Sequence, residues 1–238
     1  MPATLAAYPA TRLRRLRRSA QIRSLAQENT LVVGDLIWPI FLRDGYDVAE
    51  PIASMPGVAR LSIDRAVRAA EEAATLGIPA LCLFPHTDAD RRTETCEEAW
   101  SDENLVNRAI RAIKAEVPEI AIMTDIALDP YNANGHDGFV KDGVIVNDET
   151  IEALVKMALA QADAGADILG PSDMMDGRIG AMRAALEAAG HQDVAILSYS
   201  AKYASAFYGP FRDAVGASGQ LVGDKKTYPV SYTHLRAH

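Results

Sequence analysis

Cysteine is almost missing from this 238-residue chain, with only Cys82 in the apolar ALCLFP and Cys96 in the polar TETCEEAW. Two such thiols make neither a disulfide framework nor a zinc-ligand spacing, and both are expected to be inert. No apolar run reaches the roughly 18 to 20 residues needed to cross a bilayer. No signal-peptide core precedes the first charged residues, so a cytoplasmic protein is expected. Positive charge is in deficit, and a net charge of −8 leaves no basic surface to hold nucleic acid or an anionic membrane. Also absent are a G-x-G-x-x-G turn after the first strand, which removes support from a dinucleotide-binding sheet, and the G-x-S-x-G elbow of many hydrolases.

What is present describes a globular chain of one domain, with 49% hydrophobic and 24% charged residues and a mean hydropathy near zero. The start is the exception. TRLRRLRRSAQIR carries Arg12, Arg14, Arg15, Arg17, Arg18 and Arg23 without one acid. Such a run suits a transit peptide, a nucleic-acid arm or an extension docked on a neighbouring subunit. The third is favoured, because LRRLRR leads directly into the fold rather than into a cleavage site.

Beyond the arm, short apolar runs at 35–42, 79–85, 120–128, 167–172 and 194–200 alternate with stretches of helical period. Ser62, Ser101 and Asn147 are candidate N-caps, and Gly77 and Gly190 are placed to stop helices. Near-continuous apolar strands alternating with helices predict an α/β fold with a parallel sheet covered by helices. An open doubly wound sheet and a (β/α)8 barrel both fit this alternation. The polar residues favour the barrel, because Asp125, Ser172 with Asp173, and Lys202 with Ser200 fall at the C-terminal ends of three different strands and would meet at one mouth. About five strand and helix units are countable, so the barrel is expected to be incomplete.

Lys202 is the sharpest candidate, in SYSAKYASAFYGPFRD. A lysine in water has a pKa of about 10.4 and is protonated at neutral pH, so an amine that attacks a carbonyl needs a lowered pKa from burial or a neighbouring cation. Tyr199, Tyr203 and Phe207 are expected to supply apolar surroundings. Lone lysines after strands also snorkel or form ion pairs. Arg212 and the pair Lys225 and Lys226 could clamp a carboxylate or lie on a solvated surface. TDIALDPYNANGHDG holds Asp125, Asp129, Asp137 and His136 in a loop, which suits a hard cation such as Mg2+ or equally Asx-turn duty. In GPSDMMDGR, Asp176 or Gly177 could cap the next helix, with Met174 and Met175 packed beneath the mouth.

TDIALDPYNANGHDG, GPSDMMDGR, SYSAKYASAFYGPFRD and GDKKTY, in this order and spacing, closely resemble the 5-aminolevulinate dehydratase family, also called porphobilinogen synthase. The likeness runs from about Arg14 to Tyr228. It implies a TIM barrel with an N-terminal arm wrapped around a partner in a homo-octamer. It also implies condensation of two 5-aminolevulinate molecules into porphobilinogen, the pyrrole precursor of haem, with no organic cofactor. By the same likeness Lys202 matches one of two lysines that form Schiff bases with substrate. Asp125 and Ser172 match active-site residues, Arg212 and Lys225 match basic residues that hold a substrate carboxylate, and Tyr208 lies in the same segment. Zinc-dependent members have three cysteines where this chain reads Ala127, Asp129 and Asp137, so the aspartate-rich branch, with Mg2+ or without an active-site metal, is expected rather than zinc.

The second lysine of that family, in a V-K-P-G motif, has no counterpart, and the sequence from about Pro229 onward, PVSYTHLRAH, has neither cap nor alternation. The expectation is therefore an arm at 1–30, a partial catalytic barrel at 31–228 and a non-native tail at 229–238, with impaired activity. A class I aldolase using the same strand-end lysine, and a non-catalytic assembly module, stay open as alternatives.

Overall fold

The five apolar runs become the parallel strands of one sheet. The computed structural model describes residues 7–199, 202 and 208–217. In chain order its elements are helix α1 (Ala20–Leu25), strands β1 (Ile37–Leu42), β2 (Ala49–Pro51) and β3 (Ala59–Leu61), helix α2 (Ile63–Leu76) and β4 (Ala80–Pro85). There follow α3 (Leu105–Glu116), β5 (Ala121–Ile126), the short pair β6 (Val140–Lys141) and β7 (Val144–Ile145), α4 (Asn147–Asp163), β8 (Ile168–Pro171), α5 (Arg178–Ala189), β9 (Ala195–Ile196) and α6 (Tyr208–Ala214). The sheet order is β2-β3-β1-β4-β5-β8-β9. Every pairing in it is parallel except β2 with β3. The expected alternation is thus present through α5, and among the described residues the end strands β2 and β9 do not pair with each other.

The pleat sends alternate residues of each strand to opposite faces. On one face Leu81, Leu83, Ile122 and Leu169 pack with the helices in the larger core cluster. Helix α2 lies close to the sheet there because Ala66, Ala69, Ala70 and Ala73, all buried, recur at helical spacing and carry minimal side chains. On the other face Phe41, Cys82, Phe84 and Met123 form a smaller cluster, which is closed by Phe211, Ala214, Val215 and Ala217 from α6 and its end. Asp125 is two residues beyond Met123 and shares that second face.

Gly77 and Gly190 do end their helices, at φ 77° and 89°, a left-handed conformation that suits glycine. Ser62 occupies the N-cap position of α2 without a side-chain capping bond. Two expected caps are displaced. The α3 cap is Asn104, whose side-chain oxygen accepts from the Asn107 N–H at 2.8 Å, rather than Ser101. Helix α4 already includes Asn147 as its first residue, after Val146. The arginine-rich residues 13–17 and helix α1 contribute no buried residue. No helix among the described residues is long and apolar enough to cross a membrane. The tail at 229–238 lies outside the described residues.

Candidate active site

Parallel strands deliver their C-terminal ends to one edge of a sheet, which is how residues far apart in sequence meet here. Asp125, one residue before the end of β5, is in register with Gly170 of β8. Ser172 follows β8, and Lys202 follows β9. The Lys202 ammonium donates to the Ser172 carbonyl at 2.7 Å and to Asp137 Oδ1 at 3.2 Å. Its side chain is 15% exposed, and that of Asp137 is fully buried. The ammonium also lies 5.2 Å from the centre of the Tyr208 ring. The Arg212 guanidinium carbon lies 5.7 Å from the same ring centre, so Tyr208 is the surface that lysine and arginine share.

The electrostatics correct the sequence expectation for Lys202. Burial does pull its pKa down, but Asp137, Asp129 and Asp125 pull the other way and prevail, leaving the amine above its ordinary value. The apolar environment expected from neighbouring aromatics is thus outweighed by three acids. Tyr203 and Phe207 lie outside the described residues. Asp125 responds in the opposite sense. Burial first and the Asp129 charge second raise its pKa to about 7, against the hydrogen bond from Ser172 and the Lys202 charge. Asp173, buried beside Arg178, is raised to about 6, mainly by burial. On the sheet face that carries Met123, Asp125 Oδ1 is buried with no hydrogen-bond partner among the described residues, as is Arg212 Nε of α6. Buried polar atoms in folded proteins are nearly always partnered, so these two exceptions mark a place for a polar ligand.

The aspartate loop was a candidate for a divalent cation. Among the described residues no three acidic, histidine or cysteine side chains are arranged to hold a metal ion. Asp137 and Asp129 of the loop face the Lys202 ammonium, and Asp129 also faces Arg92. No step below uses a metal at this position. Both cysteines are buried. Burial raises both thiols, Cys96 to about 12, and neither is a candidate nucleophile.

Comparison with known proteins now bears on these residues. A family model described as delta-aminolevulinic acid dehydratase matches residues 10–237. The chain belongs to the delta-aminolevulinic acid dehydratase family. It is 65% identical over 224 residues to the delta-aminolevulinic acid dehydratase of Rhodobacter capsulatus, covering 94% of this chain and 68% of that protein. It is 57% identical over 219 residues to the enzyme of the same name from Bradyrhizobium diazoefficiens, covering 92% of this chain and 62% of the relative. Among solved structures, the Toxoplasma gondii ME49 delta-aminolevulinic acid dehydratase, or porphobilinogen synthase, in complex with its reaction product porphobilinogen superposes with a TM-score of 0.90 at 44% identity. That match covers 95% of this chain and 65% of the Toxoplasma chain. The chain spans about two thirds of the length of these relatives.

Of the site residues expected from sequence, the structure brings together Lys202, Asp125, Ser172, Tyr208 and Arg212. Lys225, Lys226 and Ser200 lie outside the described residues. Sequence reasoning gave no role to Arg60 and Arg92, each only 8% exposed, because neither sits at the C-terminal end of a strand run.

Proposed function

We propose that this site binds 5-aminolevulinate as an imine on Lys202, as a step in condensing two such molecules into porphobilinogen with loss of water. The observation that carries this reading is the Lys202 amine, enclosed by Asp137, Asp129 and Asp125 and facing Tyr208 and Arg212. The names of the relatives, and the product bound in the Toxoplasma structure, support the same chemistry. The sheet is taken as the first part of a (β/α)8 barrel. The exposed arginine-rich segment, which buries nothing on its own chain, is taken as an arm for a neighbouring subunit of a homo-oligomer.

Each group has a part that follows from its environment. The ammonium must lose a proton before it can attack a ketone, and Asp137, hydrogen-bonded to it, is the acceptor within reach. The free amine then forms the N–C bond to the ketone carbon while the carbonyl oxygen gains a proton. Loss of that oxygen as water needs an acid close to its pKa at neutral pH. Asp125, near 7, can donate the proton and take another from the nitrogen. Arg212, with its buried unpartnered Nε, is suited to the substrate carboxylate. Imine formation of this kind uses the protein's amine and needs no organic cofactor.

Incubating the 238-residue chain with 5-aminolevulinate and borohydride, followed by peptide mass mapping, tests the assignment. A reduced adduct on Lys202 is expected. Labelling elsewhere, with Lys202 unmodified, would refute the role given to it.

A further inference from the structure

We infer that Arg60 and Arg92 are positioning residues that grip the C-terminal end of α6 and so set where Tyr208 and Arg212 stand against the Lys202 amine. The inference rests on the reading of Lys202 and Arg212 given above.

Helix α6 has seven residues, too few to be stable alone, so its place depends on what holds it. One hold is aromatic. Phe211 packs edge-on to Phe84 at 5.1 Å and lies 6.1 Å from Phe41. The other hold is at its C-terminal end, where the last carbonyls of a helix have no intrahelical partner and the dipole is negative. Arg60 of β3 donates from Nη2 to the Asp213 carbonyl at 2.5 Å and from Nε to the Ala214 carbonyl at 2.6 Å. Arg92, in the loop after β4, donates to the Val215 carbonyl at 3.2 Å and to the Gly216 carbonyl at 2.7 Å. Four consecutive carbonyls thus go to two buried guanidinium groups from positions more than a hundred residues earlier.

Both arginines are anchored at the other side. Arg60 Nη1 pairs with Glu50 at 2.5 Å, and Arg92 donates twice to the Thr87 carbonyl, at 2.9 and 2.6 Å. The Ser54 hydroxyl adds a bond to Asp213 Oδ2 at 2.6 Å. Gly216 makes the approach possible. At its φ of 75°, a Cβ would fall 2.6 Å from Arg92 Nη2 and 2.7 Å from His86 Nε2, so any side chain there would push the carbonyls off the arginine. Keeping two cations out of water near each other is costly, and what they hold is the one short helix that carries Tyr208 and Arg212. Because a displacement of about 1 Å in a reacting geometry can cost roughly a hundredfold in rate, the grip at one end of α6 acts on binding at the other.

The test compares the wild-type chain with Arg60→Met, Arg92→Met, Arg92→Lys and Gly216→Ala, the last retaining both guanidinium groups. Two measurements are made on each: the 5-aminolevulinate concentration that half-saturates borohydride labelling of Lys202, and amide hydrogen exchange of 208–217 alongside that of β4 and β5. The expected result is a rise in half-saturation of about tenfold or more in both methionine variants and in Gly216→Ala. Full labelling at saturation, faster exchange confined to 208–217 and partial recovery in Arg92→Lys complete the expectation. Faster exchange with unchanged half-saturation would make the arginines merely structural and overturn the inference. Unchanged exchange in 208–217 would overturn the grip itself. A wild-type chain unlabelled at Lys202 would instead overturn the functional reading, while exchange would still decide whether the arginines hold the helix.

Discussion

Replacing Asp125 with asparagine should stabilise the chain in a way that depends on pH. In the unfolded chain this carboxyl loses its proton near 3.8, whereas in the fold burial and the Asp129 charge raise that value to about 7. Between the two values the native state holds a proton that the unfolded state has released, so stability falls as pH rises. Each unit of that window is worth about 1.4 kcal/mol, which brings the total loss to about 4 kcal/mol, complete above pH 7. Asparagine cannot ionise and still offers an oxygen to the Ser172 hydroxyl. The unfolding free energy of Asp125→Asn minus that of wild type is therefore expected to climb by up to about 4 kcal/mol from about pH 4 to about pH 8, and to be level outside those limits. Urea unfolding followed by circular dichroism at a series of pH values measures it, and the titrations common to both chains cancel in the difference. A difference that is flat with pH, or that falls, would refute the account of Asp125. The same variant should form the Lys202 imine more slowly, because an amide cannot deliver the proton that releases water.

Asp137→Asn removes the acid bonded to the Lys202 amine. A neighbouring opposite charge is typically worth about 1 to 3 pK units, so the pH midpoint for acetylation of Lys202, read by peptide mass spectrometry, should fall by that amount. A midpoint that stays or rises would count against the ion pair. Gly170→Ala tests the approach of β8 to β5, since its Cβ would stand 2.4 Å from the Met123 methyl and 3.0 Å from the Thr124 carbonyl. Overpacking of this kind costs about 1 to 3 kcal/mol, with the melting temperature falling about 2 to 4 °C for each. An unchanged melting temperature would contradict the tight contact.

The strands and helices that carry the site were legible in sequence because their patterns are long. A parallel strand buried on both faces reads as an unbroken apolar run, and α2 writes its buried alanines at helical spacing. Elements of two or three residues, such as β2, β3, β6 and β7, have no room for a period, and they were missed. The caps went wrong at α3 for a related reason. SDEN offers several side chains able to accept from a helix N-terminus, and only geometry selects Asn104. The meeting of Lys202, Asp125 and Ser172 was legible through one rule, that parallel strands share an edge for their C-terminal ends. The sign of the lysine's pKa shift was not, because Asp129 and Asp137 arrive from a loop without periodicity. Arg60 and Arg92 were hidden for another reason. Among the many arginines of this chain, nothing local distinguishes a solvated one from one whose carbonyl partners lie more than a hundred residues later.

Asp129 joins these two parts of the site. Its charge helps raise Lys202 and Asp125 and partly offsets the burial that lowers Arg92, so one buried carboxylate acts on the attacking amine, on the proton donor and on the arginine at the end of α6. For the two cations the effect favours the charged form, and for the neighbouring acid it favours the neutral form. Those are the states the proposed chemistry starts from: a held ammonium, a protonated Asp125 and a charged guanidinium gripping the helix. On this reading Asp129 sets the protonation from which the imine chemistry of Lys202 begins.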